Sequence, residues 1–162
     1  MELVILGLLI LLNGFFALSE VALISSKKAR LEQQKVKGKK GARIALNLLE
    51  NSEDFLSAIQ VGITLIGIIT GVYRGLSIAE DLAPYVQKYP SLAPYANEIA
   101  LSVTVLVITF ISIVIGELVP KTIALSIPEE ISVYVSPVIY AFGNIFFPFV
   151  KLLAVSTGLI NI

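Results

Sequence analysis

Apolar residues come in long blocks along the chain, and short polar stretches separate the blocks. Three blocks, 3–27, 55–73 and 99–119, approach the roughly 20 apolar residues that an α-helix needs to cross a hydrocarbon core of about 30 Å. We therefore predict three transmembrane helices. A fourth apolar segment, 131–155, is interrupted by prolines, a glycine, an asparagine and a lysine. This pattern fits either a kinked fourth span or a juxtamembrane helix in the interface, and we favour the interfacial helix.

The polar stretches between these blocks differ in character. Residues 26–52 are rich in Lys, Arg and Gln with sparse apolar points, and Gly38 and Gly41 are expected to divide them into two short helices. Residues 73–98 contain three prolines and several charged side chains, so we predict a loop with short helical pieces there. The predicted fold class is an all-α membrane protein.

Basic residues are concentrated in one connection, although the net charge is zero. Eight of the twelve Lys and Arg residues lie within 27–43, where Glu32 is the one acid. Since loops rich in Lys and Arg stay in the cytoplasm, we predict a multi-pass protein of the cell (inner) membrane with an external N-terminus and a cytoplasmic 26–52 segment. The next connection, with Arg74 and Lys88, is then external. The basic run also suits anionic lipid head groups, whereas nucleic acid is not an expected partner.

Composition narrows the possible chemistry. Hydrophobic residues make up 56% of the chain and charged residues 15%, against about a quarter charged in a typical soluble domain. The chain has no Cys and no His, which excludes disulfides, thiolate metal sites and the usual general base. It also has no glycine-rich phosphate loop and no Gly-x-Ser-x-Gly elbow, so we do not expect an enzyme.

Polar and small side chains recur at helical spacing within each predicted span. They are Asn13, Ala17 and Glu20 in the first, Gln60, Thr64, Gly67 and Gly71 in the second, and Ser102, Thr109, Ser112 and Gly116 in the third, with Glu117 beside the last. Stripes of Gly, Ser and Thr are the ordinary means by which membrane helices approach one another, so helix packing explains most of these positions.

The two carboxylates within the spans require a different explanation. An acid at membrane depth costs about 2.5–3.5 kcal/mol on insertion scales, and such residues usually face partners or a water-filled path. As an alternative, Glu117 pairs with Lys121 at the interface, and Glu20 reaches Lys27 or Lys28. If the acids do line a path, ligands that are all oxygen suit a hard cation such as Mg²⁺.

The segment 116–121 adds a backbone feature. Because Pro120 has no N–H, the Gly116 carbonyl loses its helical donor directly beside the Glu117 side chain. A carbonyl released in this way can form half of a cation site where it lines a cavity. We expect Gly116, Pro120 and Lys121 to shape the backbone and to take part in gating.

Three motifs in this order resemble the transmembrane domain of the cyclin-M and CorC (hemolysin-like) magnesium transporters. They are Asn13-Gly-Phe-Phe-Ala-Leu-Ser-Glu-Val-Ala-Leu-Ile-Ser-Ser26, Ala58-Ile-Gln-Val-Gly-Ile-Thr-Leu-Ile-Gly67, and Gly116-Glu-Leu-Val-Pro-Lys121 followed by Pro128-Glu129. The resemblance covers nearly the whole chain, so residues 1–162 are expected to form one transmembrane transporter domain.

The resemblance also implies an assembly and an activity. Each protomer of a homodimer would have three spans, a cytoplasmic pair of short helices and a juxtamembrane helix. Regulatory modules that bind ATP would normally follow, so the chain is expected to be the membrane part of a longer protein. The implied activity is Mg²⁺ efflux, coupled to Na⁺, through a dehydrated ion site between the spans.

The ligand set is carried over by position from the resemblance. It comprises Ser19, Thr64, Gly67 and Glu117, with Asn13 and Glu20 as neighbours. Some relatives carry Asn where this chain has Ile63, and a second Asn near Gly67, which weakens transfer of the full set. Two other functions remain open: polyamine export, which would use the same acids, and a non-transporting membrane scaffold or sensor of Mg²⁺ status.

Overall fold

The computed structural model describes residues 2–160, except for the side chains at 2, 72–77, 154 and 157–160. Arg74, which helped to orient the second connection, lies outside the described side chains. The helices are α1 (Glu2–Ser25), α2 (Lys28–Val36), α3 (Lys40–Glu50), α4 (Ser52–Gln87), α5 (Ala96–Ile113), α6 (Val119–Ser126) and α7 (Pro128–Ile160), with a π-helical turn at Val114–Leu118 and a 3₁₀ turn at Ala93–Tyr95. The described part of the chain contains no β-strand, so the all-α prediction is confirmed.

The basic segment forms the two short helices α2 and α3. Gly38 separates them with a φ of 84°, a left-handed conformation that glycine adopts without steric cost. Gly41 does not break the helix as expected, because it lies inside α3. A Cβ atom on Gly41 would overlap the backbone carbonyl of Val133, so this glycine allows α3 and α7 to approach closely.

The second connection is more helical than its prolines suggested. Residues 73–98 were expected to form a loop, but α4 continues to Gln87 with Pro84 inside it. The end of α4 and the start of α5 pack against each other and bury small side chains, among them Ala79 and Ala83 on α4 and Ala96 on α5. This packing outweighs the local cost of Pro84, so the observed connection is confined to a short turn before α5.

The third span also continues past its predicted end. Helical structure runs through Pro120 to Ser126, since Pro120 lies in the first turn of α6, where a missing N–H costs little. The last helix, α7, is longer than the predicted 131–155 segment and keeps both Pro137 and Pro148 inside it.

Four segments of the described chain are long and apolar enough to cross a membrane: Leu3–Ser25, Ser52–Gly71, Ala93–Ser126 and Pro128–Leu153. The predicted spans 3–27 and 55–73 overlap the first two segments and extend two residues past the end of each, and 99–119 lies within the third. The core cluster lies at one end of the bundle, where α1 ends, α4 begins and α7 crosses α3; Leu23, Phe55 and Ile139 belong to it. Most of the large side chains of α5 are exposed, among them Leu106 and Phe110.

Candidate functional site

A cavity of about 280 Å³ lies where α1, α4 and the end of α5 meet. Its polar or small lining residues are Asn13, Gly67, Thr70, Gly71, Thr109, Ser112 and Glu117. Leu9, Ile10, Ile63, Ile66, Ile108 and Ile113 form the apolar remainder of the wall. The cavity therefore presents oxygen atoms in apolar surroundings near the middle of α1.

The π-helical turn gives one wall of this cavity its shape. The Val119 N–H donates to the Val114 carbonyl, a spacing of five residues that leaves one extra residue in the turn. The Gly116 carbonyl has no α-helical donor, because the donor position is Pro120, and it instead accepts the Asn13 Nδ2 at 3.1 Å. The Gly116 carbonyl, which was predicted to lack its helical donor, thus accepts a hydrogen bond from the Asn13 side chain of α1.

Two glycines allow α1 to lie directly against this turn. A Cβ on Gly14 would lie 3.0 Å from Pro120 Cγ and 3.3 Å from the Ile115 carbonyl oxygen. A Cβ on Gly116 would lie 3.3 Å from the Ile10 carbonyl oxygen. Larger side chains would push the two helices apart and lengthen the Asn13–Gly116 hydrogen bond.

Two buried oxygen atoms on the cavity residues lack a hydrogen-bond partner in the described structure. They are Asn13 Oδ1 and Ser112 Oγ. A buried polar atom without a partner costs about 1–3 kcal/mol, so such atoms are uncommon in proteins unless a ligand, ion or water satisfies them. Both atoms suit coordination of a cation.

Glu117 takes part in an ion pair within the same segment. Its Oε1 lies 2.7 Å from Lys121 Nζ, and the side chains are 47% and 32% exposed. This is the interfacial pairing that the sequence raised as the alternative for Glu117. The pair and a role in the cavity are compatible, because Glu117 also lines the cavity and its Oε2 has no partner in the described structure.

The structure divides the predicted ligand set. Asn13, Gly67 and Glu117 line the 280 Å³ cavity, whereas Glu20 and Thr64 line a separate groove between α1, α4 and α7. Ser19 lines neither space; it is fully buried and its hydroxyl donates to the Phe15 carbonyl at 2.7 Å. Of the backbone residues, Gly116 and Pro120 shape the turn beside the cavity, and Lys121 pairs with Glu117.

Ser112, Thr109 and Thr70 were not among the predicted ligands. Ser112 and Thr109 stood on the polar stripe of the third span, which was assigned mainly to packing. Thr70 lies off the stripe of α4 and donates to the Ile66 carbonyl at 2.8 Å, so its hydroxyl is already engaged. The described residues contain no group of three or more acidic side chains that could hold a metal. Glu117 is the one carboxylate among the described residues that line the cavity.

Residues from three separate motifs line this cavity: Asn13 from the first, Gly67 from the second and Glu117 from the third. The family profile of the cyclin M transmembrane N-terminal domain matches residues 3–162. The chain belongs to this family. This cyclin M domain therefore brings its three signature motifs together around one cavity.

Several curated proteins are similar to this cyclin M domain. UPF0053 protein sll0260 of Synechocystis is 46% identical over 97% of the chain, which covers 35% of that protein. In Bacillus subtilis, UPF0053 protein YhdP is 32% identical over 99% of the chain, covering 36% of that protein, and YhdT is 31% identical over 98%, covering 34%. The cyclin M domain thus spans about a third of the length of these relatives.

Proposed function

We propose that this cyclin M domain transports Mg²⁺ through the 280 Å³ cavity, exporting it in exchange for Na⁺. The observation that carries the proposal is that Glu117 lines one cavity together with Asn13 and Ser112, whose buried side-chain oxygens have no hydrogen-bond partner in the described structure. Hard cations prefer carboxylate, carbonyl and hydroxyl oxygens, and ligation would offset the cost of leaving those oxygens without donors.

The size of the cavity bears on the hydration of the ion. The octahedral hydration shell of Mg²⁺ contains six waters, which at about 30 Å³ each occupy about 180 Å³. The cavity measures about 280 Å³, so its size alone does not strip the ion of water. In this proposal, transport through a dehydrated site requires the helices that line the cavity to approach the ion.

The same geometry is less suited to a diamine. Mg²⁺ and a diamine both carry two positive charges, but a diamine carries them at two separate ends. The cavity offers one carboxylate, since Glu20 lines the other space, so the second ammonium group would have no acidic partner there. A scaffold or sensor that does not transport would use the same site to bind Mg²⁺ without flux. Transport measurements separate these functions from Mg²⁺ export.

The surroundings of the site follow from the same proposal. The domain lies in the cell (inner) membrane as a homodimer, with its N-terminus external and α2 and α3 in the cytoplasm. Its own cytoplasmic regulatory domains, which bind ATP, would act on it in the longer protein.

The course of α7 favours the interfacial position over a fourth span. Glu129, at the start of α7, accepts the backbone N–H of Lys27, where the chain leaves α1. Val150, about 31 Å further along the helix at 1.5 Å per residue, shares a cavity with Asn51 and Asp54 at the start of α4. Both points lie at the end of the bundle that carries α2 and α3. A helix that crossed the membrane would be on the opposite side after that distance.

The decisive experiment measures Mg²⁺ flux in proteoliposomes with Glu117→Gln beside the wild type. Glu98→Gln is the matched control, because Glu98 is an exposed acid at the start of α5, outside the cavity. We expect saturable Mg²⁺ flux that depends on Na⁺ in the wild type and in Glu98→Gln, and loss of flux in a folded Glu117→Gln.

Other results would favour the alternatives. A folded wild type without flux would support the scaffold, and Mg²⁺ flux that diamine abolishes in competition would support polyamine export. If Glu117→Gln fails to fold while Lys121→Met fails in the same way, the ion pair is structural and the proposed ligand role is wrong.

A further inference from the structure

A second space in the molecule is much larger than the cation cavity. It is an open groove of about 1060 Å³, bounded by the end of α1, one face of α4 and the second half of α7. Its lining residues are Glu20, Ile24, Leu56, Ser57, Gln60, Val61, Thr64, Leu65, Ile68, Ile145, Phe146, Phe149 and Leu153. It is at the upper end of the roughly 300–1,000 Å³ range of pockets for drug-sized ligands, and is therefore too large for an inorganic ion alone.

The polar groups of this groove are gathered at one end. Glu20, Ser57 and Gln60 lie near the end of the bundle where α1 finishes and α4 begins, and the α4 wall beyond Thr64 is apolar to Ile68. From Ser57 to Ile68 the helix rises about 16 Å, roughly half of the 30 Å hydrocarbon core. The groove is thus one leaflet long, with its polar end towards the interface.

The charge at the polar end has no ion-pair partner among the described side chains. The Glu20 carboxylate is half-buried and makes no hydrogen bond or ion pair with any described residue. Glu20 is the one charged residue among those that line the groove. A carboxylate beside apolar surface complements a ligand with an amine and a hydrocarbon chain.

We propose that this groove is a binding site for a phospholipid with a primary amine head group, of the phosphatidylethanolamine type. Its ammonium group donates to Glu20, and an acyl chain lies along Leu65 and Ile68 beside α7. A second copy of the chain is a poorer occupant, because it would seal Glu20 against apolar surface unless it brought a cation of its own. The site is separate from the Glu117 cavity, so it does not depend on the proposed transport.

Native mass spectrometry and thermal unfolding of the purified chain in detergent test this assignment. The probes are dioleoyl phosphatidylethanolamine, phosphatidylcholine and phosphatidylglycerol, which share their acyl chains and differ in the head group. We expect phosphatidylethanolamine to be retained preferentially and to raise the Tm most, since only its ammonium donates N–H groups to a carboxylate. Glu20→Gln should reduce the preference at least about fivefold, and Glu98→Gln should leave it unchanged.

A second variant keeps the test valid if Glu20→Gln does not fold. Leu65→Trp fills the apolar half of the groove without touching Glu20 and should lower retention of all three lipids. Equal retention of the three lipids by the wild type, or a preference that Glu20→Gln leaves intact, would overturn the proposal. So would efficient disulfide formation between copies of Leu65→Cys in the presence of phosphatidylethanolamine, because the groove would then be covered by a second copy.

Discussion

The Ser112 hydroxyl is expected to lower the stability of the fold and to contribute a ligand to the proposed Mg²⁺ site. Its Oγ is buried without a hydrogen-bond partner among the described residues, on the wall that also contains Glu117. A serine in a membrane helix commonly donates to the carbonyl four residues earlier, as Ser19 does here. The Ser112 hydroxyl makes no such bond, so its oxygen has no partner although the residue lines the cavity.

Replacing Ser112 with alanine should separate the two effects. Ser112→Ala is expected to weaken Mg²⁺ binding roughly tenfold, the equivalent of one ligand worth about 1.4 kcal/mol. The free energy of unfolding should stay the same or rise, because an unsatisfied buried group is removed. Calorimetric titration and thermal unfolding in detergent measure these quantities.

Ser102 provides the matched control for this substitution, since it is an exposed serine on the same helix, outside the cavity. Ser102→Ala should change neither quantity. A Ser112→Ala protein that unfolds at lower temperature and binds Mg²⁺ normally would show that the hydroxyl is structural, contrary to the proposal.

Residue types at the site were predictable, but their grouping was not. The isolated acid, the adjacent proline and the polar stripe led to Glu117, Gly116 and Asn13, because the chemistry of each is local. Asn13 and Glu20 stand on one stripe of α1, yet they line different spaces, and Ala17 between them is fully buried. Helical spacing predicts which face of a helix carries a side chain. The neighbouring helix at that point along the axis determines whether the side chain is buried or lines a cavity.

At the scale of elements, prolines misled the prediction in two places. Pro84 was expected in the loop 73–98 and Pro120 just after the third span, but both lie within continuous helical structure. The π turn that precedes Pro120 accommodates its missing N–H, whereas the packing of α4 on α5 offsets the cost of Pro84. Neither a π turn nor a tertiary contact leaves a periodic signal in the sequence, so the predicted helix boundaries were displaced, although each predicted apolar block overlaps a helical segment long enough to cross a membrane.

The contact of α3 with α7 depends on one glycine and can be tested. A Cβ on Gly41 would overlap the Val133 carbonyl, so Gly41→Ala must push the two helices apart. Overpacking of this kind costs about 1–3 kcal/mol, and we expect a clear fall in the midpoint of thermal unfolding in detergent. Gly7→Ala is the control, because no atom lies within 4 Å of the added Cβ there. An unchanged midpoint in Gly41→Ala would contradict the close packing of α3 on α7.

For the whole molecule, the membrane topology is the largest untested prediction. The chain contains no Cys, so a single introduced thiol can be labelled without background. Suitable exposed positions are Val36 in the α2–α3 hairpin, Tyr89 after α4, and Ser156 near the end of α7.

Labelling of intact cells with a membrane-impermeant maleimide should give a distinct pattern. We expect Tyr89→Cys to react from outside, and Val36→Cys and Ser156→Cys to react only after the membrane is opened. Reaction of Ser156→Cys from outside would mean that α7 crosses the membrane as a fourth span. Reaction of Val36→Cys from outside would reverse the predicted orientation.

The position of the core has a consequence for how the domain is made. Val135 and Ile139 of α7 belong to the same buried cluster as Phe16 of α1 and Leu31 of α2, so α7, which is synthesised after both, completes packing that the earlier helices begin. A ribosome must therefore deliver α1, α4 and α5 to the bilayer while the face of α3 that receives α7 is still uncovered. Until then the nascent chain exposes the small-residue surface around Gly41, which Val133 of α7 covers in the folded domain.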